Sequence, residues 1–73
     1  MKEYEIIIEA MNPCGGERYA QQEIIEAEIE SPEAYVEANK RLPVIETIHR
    51  PNGEVVIETG NEAGYRIRYT FSE

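Results

Sequence analysis

Aspartate and tryptophan are absent from this 73-residue chain, and cysteine and histidine occur once each. Each shortage closes a class of function. Without Asp there is no aspartyl nucleophile and no EF-hand calcium loop, whose closely spaced ligands include aspartates. A lone cysteine, Cys14, permits no internal disulfide framework. Together with the lone histidine, His49, it falls short of a closed zinc site, so no metal is expected. Basic residues are scarce: seven Lys and Arg stand against fifteen acids, all Glu, for a net charge of −8. That balance argues against nucleic acid, whose phosphates are neutralised by clustered Lys and Arg. Apolar runs are short, with nothing near the ~20 residues of a membrane span and no basic segment leading an apolar one. A protein of the cytoplasm, not of the membrane, is expected.

Catalytic signatures are missing as well. The chain has no Walker loop, no GxGxxG and no GxSxG. Of its two serines, Ser31 is placed to cap a helix and Ser72 lies in the tail. No nucleophile–base or acid–base pair stands out, so no residue is assigned as catalytic and no cofactor is implied.

What the chain does contain is alternation. Tyr4, Ile6, Ile8 and Ala10 interleave with Glu3, Glu5, Ile7 and Glu9, which predicts a strand over 2–11. The run Asn12-Pro13-Cys14-Gly15-Gly16-Glu17-Arg18 is dense in turn formers and predicts a long loop. Alternation resumes from about 19 to 30, with Ile25, Ala27 and Ile29 against Ile24, Glu26, Glu28 and Glu30. The first two strands should form a hairpin.

Ser31-Pro32-Glu33 is a helix start: a capping hydroxyl, a proline whose missing N–H costs nothing at the first position, and an acid at the positive end of the dipole. The helix is expected to run through Leu42, burying Tyr35, Ala38 and Leu42, with Lys40 and Arg41 in its last turn and Pro43 as its stop. A third strand over 44–50 has untidy alternation. Pro51-Asn52-Gly53 turns the chain into a strand over 54–59, and the segment 60–64 turns it into a last strand over 65–71.

The order β-β-α-β-β-β predicts an α+β fold, an antiparallel sheet of about five strands with one helix packed on one face. Residues 1–73 make a single domain, whose small core buries ~60–65% of the unfolded surface. One short helix covers one face only. The other face should carry the glutamates, together with Arg66 and Arg68 from the last strand. Opposed glutamates repel, so the arginine-bearing strand is expected beside an acidic one, where it supplies counter-charge. A self-neutralised, solvated surface is then the simplest outcome, with cation or basic-partner binding as its competitor.

Two sites remain as candidates. On the open face Ile7, Ile24 and Val56, with Ile45 as a possible fourth, occupy positions where polar residues are expected. Aligned, and rimmed by Glu26, Glu28, Arg66 and Arg68, they would make an interface for a protein partner or for self-association. In the loop, Cys14, Gly15, Gly16 and Arg18 could contact an anion or hold a reactive thiol, against the simpler alternative of a Gly-rich turn. The chain therefore reads as a non-enzymatic interaction or assembly module using its open face. The alternative is a small ligand-binding or thiol-responsive protein acting through the loop.

Overall fold

The computed structural model describes residues 1–11 and 19–73, with the backbone alone described for 19–21. Its strands are β1 (Lys2–Met11), β2 (Tyr19–Ile29), β3 (Val44–His49), β4 (Val55–Gly60) and β5 (Arg66–Ser72), and its helix is α1 (Pro32–Asn39). All five strands join one antiparallel sheet in the order β2-β1-β5-β4-β3. The fold is α+β, with the element order that the alternation implies.

The pairing of β1 with β5 closes the sheet by joining its N-terminal hairpin to the C-terminal meander. Ile6 faces both Ile25 and Phe71 across the neighbouring strands, and Ile8 faces Tyr69. These inward residues carry the core: Ile6 and Phe71 are fully buried, with Tyr4, Ile29, Ile57, Tyr69 and Val36 of α1 packed around them. Phe71 is the hub of an aromatic cluster. Its ring meets Tyr4 edge-on at 6.2 Å and Tyr35 at 5.8 Å, and stacks on Tyr69 at 6.5 Å. Thr59, also fully buried, donates its hydroxyl to the Ile67 carbonyl at 3.0 Å.

Ser31 caps α1 as its residue type dictates, accepting the Ala34 N–H on Oγ at 3.1 Å. The far end departs from the sequence expectation. α1 stops at Asn39, and Lys40 is already extended, so Lys40, Arg41 and Leu42 lie outside the helix. Two causes meet here. Pro43 disfavours helical geometry in the residue before it and excludes the carbonyl four residues back. Asn39 then turns its amide onto the Tyr35 carbonyl at 2.8 Å and competes with helix continuation. The buried stripe of α1 is accordingly Pro32 and Val36, with Tyr35 half-buried and Ala38 exposed.

The turn after β3 uses Gly53 at φ +94°, a region glycine enters freely. The untidy alternation of β3 is a register shift between Val44 and Glu46. The last strand begins at Arg66, one residue later than the expected 65, and Tyr65 before it is exposed.

Candidate functional site

Side chains alternate across a strand, so register decides which residues share a row on each face. On the open face Ile7 pairs with Ile24 of β2 and with Thr70 of β5. Thr70 pairs with Val56 of β4, and Val56 with Ile48 of β3. Ile24, Ile7, Thr70, Val56 and Ile48 thus form one row across all five strands. At about 4.8 Å per strand spacing the row is roughly 19 Å long. Its ends are the most open: Ile24 is 61% exposed and Ile48 40%, whereas Val56, on an inner strand between Thr70 and Ile48, is 3% exposed.

Of the three apolar residues expected to align, Ile7, Ile24 and Val56 all do. Ile45 does not join them; its Cδ1 lies against Gly60, beside Arg66. The register shift in β3 displaces Ile45 and turns Ile48 into its place. Ile48 and Thr70 were not legible as row members, because only the pairings of β5 with β1 and of β3 with β4 put them there.

Charged rows flank the apolar one. On one side Glu26 pairs with Glu5 and Glu5 with Ser72, whose hydroxyl donates to Glu54 at 3.1 Å. Glu28 pairs with Glu3 one step further out. On the other side Gln22, Glu9, Arg68, Glu58 and Glu46 follow in register. Arg68 does what the sequence asks of it: its Nε donates to Glu58 Oε1 at 3.1 Å, and its Nη1 lies 4.0 Å from Glu9 Oε1. Arg66 falls opposite Met11 and Gly60 and does not neutralise an acidic strand.

Among the described residues the expectation that the fold supplies its own counter-charge on this face therefore holds only at Arg68. Glu3–Glu28 and Glu5–Glu26 are directly opposed like charges, each costing roughly 0.2–1 kcal/mol. Lys2, the nearest lysine in sequence, pairs with Glu73 instead, at 3.3 Å. The corner made by β1 and β2 is left strongly anionic.

Among the described residues Glu54 is the one acid whose carboxyl is held below its ordinary value of 4.5. Asn52 contributes most, then Ser72 and Arg50, each by a hydrogen bond to the carboxylate, at 3.3, 3.1 and 3.2 Å. A depressed folded pKa stabilises the fold above the unfolded value, and that contribution disappears as pH falls through the folded one. Glu54→Gln should therefore flatten the acid limb of stability. Urea titrations between about pH 5 and pH 3 measure this, and an acid limb as steep as that of wild type would contradict it.

The loop candidates Cys14, Gly15, Gly16 and Arg18 lie outside the described residues. His49 is exposed at the end of β3, 3.7 Å from Glu33. Among the described residues no three His, Cys or Glu side chains gather closely enough to hold a metal ion. No helix among them is long and apolar enough to cross a membrane. The chain matches no protein-family model, no curated protein and no solved structure. Its site is accordingly built from its own geometry.

Proposed function

We infer that this protein is a non-enzymatic interaction module whose open sheet face binds a protein partner presenting an apolar strip within a basic surround. The single observation that carries this is the row Ile24–Ile7–Thr70–Val56–Ile48, continuous across the sheet and bordered by opposed glutamates that no cation among the described residues neutralises. An apolar centre with a polar rim is the anatomy of a protein interface. Uncompensated like charge in the rim costs folding free energy that a cationic partner returns on binding. The same charge disfavours a second copy, which would set glutamates against glutamates, and repels phosphate backbones. The proposed setting is the cytoplasm, where a lone thiol stays reduced.

Glu26→Lys separates this role from a structural one. It turns the Glu5–Glu26 repulsion into attraction, so the fold should gain about 0.5 kcal/mol while the basic partner binds more weakly. Affinity capture from the native host, run with wild type, Glu26→Lys and Ile24→Glu, reads the binding arm, and urea titration reads stability. If all three capture the same protein equally, the open face is not the binding surface. A dimer seen by light scattering, and broken by Ile24→Glu, would replace the basic partner with a second copy.

A further inference from the structure

On the opposite face, α1 is too short for the sheet beneath it. Eight residues of helix span about 12 Å, whereas the ten residues of β1 span about 33 Å. Past the helix C-terminus no helix among the described residues covers the inward face, and a cleft of about 610 Å³ opens there. Its floor is apolar, made by Ile8, Ala10 and Ile67, and its aromatic wall is Tyr35 and Tyr69, whose rings meet edge-on at 6.4 Å.

Two opposite charges line this cleft, Glu23 from β2 and Arg41 from the segment after α1. Glu23 occupies an inward position, paired with Ile8, where the core pattern calls for an apolar residue. Neither side chain makes an ion pair or hydrogen bond among the described residues. Tyr69 is 5% exposed, yet its hydroxyl has no hydrogen-bond partner and is not sealed from solvent, so it reaches the cleft. Burial pushes this phenol up, Tyr35 adds to the rise and Arg41 opposes it, which keeps Tyr69 a neutral O–H donor near the guanidinium.

We propose that this cleft binds a free apolar α-amino acid, aromatic ones best. The carboxylate takes the Arg41 guanidinium and the Tyr69 hydroxyl, the ammonium takes Glu23, and the side chain lies on the Ile8–Ala10–Ile67 floor against Tyr35. β2 and the Tyr69 strand are two spacings apart, about 10 Å, a gap that a long Glu and a longer Arg close upon a ligand between them. A simple carboxylate meets Glu23 and the net charge of −8, and a simple amine meets Arg41, so only the zwitterion satisfies both.

Amide chemical-shift titration tests this with L-phenylalanine, 3-phenylpropanoate and phenethylamine as probes. L-Phenylalanine should give saturable shifts at Ile8, Ala10, Ile67 and Tyr69, with each half-ligand about tenfold weaker. Glu23→Gln should erase the advantage over the acid, and Arg41→Gln the advantage over the amine. Both residues are exposed, so both variants keep the fold. The absence of saturable shifts, or half-ligands that bind as well as the amino acid, overturns the proposal. The outcome is independent of the open face, which lies on the other side of the sheet.

Discussion

Phe71→Ala should leave most of the chain unfolded at room temperature. Truncating a fully buried Phe costs about 3–5 kcal/mol, the lost transfer free energy plus the cavity left behind. A 73-residue domain has about 4–11 kcal/mol in total, and small domains sit at the low end. Phe71 is worse placed than most, because Tyr4, Tyr35 and Tyr69 all rest on its ring and three of the four lie on different elements. Removing it unties α1 from β1 and β5 together. Phe71→Leu keeps part of that volume and should lose less. Urea titration followed by far-ultraviolet circular dichroism measures both, and a loss under about 2 kcal/mol for Ala would show that the aromatic cluster is not the centre of the core.

Val56→Glu should cost about 3 kcal/mol or more, while Ile24→Glu, in the same row, should stay within about 0.5 kcal/mol of wild type. Both replace an apolar residue on the same face, and only burial separates them. Val56 sits on an inner strand at 3% exposure, where a carboxylate loses its water. Ile24 is 61% exposed on an edge strand, where a carboxylate stays hydrated. Equal losses for the two would mean that the row is uniformly solvated and is not a partly formed apolar seam. The contrast also makes Ile24→Glu the clean reagent for partner binding, since it alters the interface and leaves the fold standing.

The elements were legible because each rests on local chemistry. Alternation in 2–11 and in 19–30 makes strands whatever they pair with, and Ser31-Pro32 starts a helix through groups three residues apart. The helix ends three residues before the Leu42 that its sequence implies. Pro43 announces a stop, but how far back the stop reaches depends on the residue before it and on the Asn39 amide, and these act together only in the folded backbone. That difference uncovers the cleft, and it is why Glu23 and Arg41 carried no signal in the sequence beyond one acid in an inward phase.

By itself, the sequence determined the α+β class, the division of the first two strands into an oily and an acidic side, the scarcity of basic counter-charge, and the presence of Ile7, Ile24 and Val56 where polar residues belong. Tertiary structure alone decided that those three share a row, that Ile48 and not Ile45 extends it, and that Glu3 and Glu5 stand directly opposite Glu28 and Glu26. The reason is register. A slip of one residue sends every side chain of a strand to the other face, and the pairing that prevents it joins residues far apart in the chain. Periodicity reports the two faces of a strand; which neighbours those faces meet is settled only when β5 closes on β1.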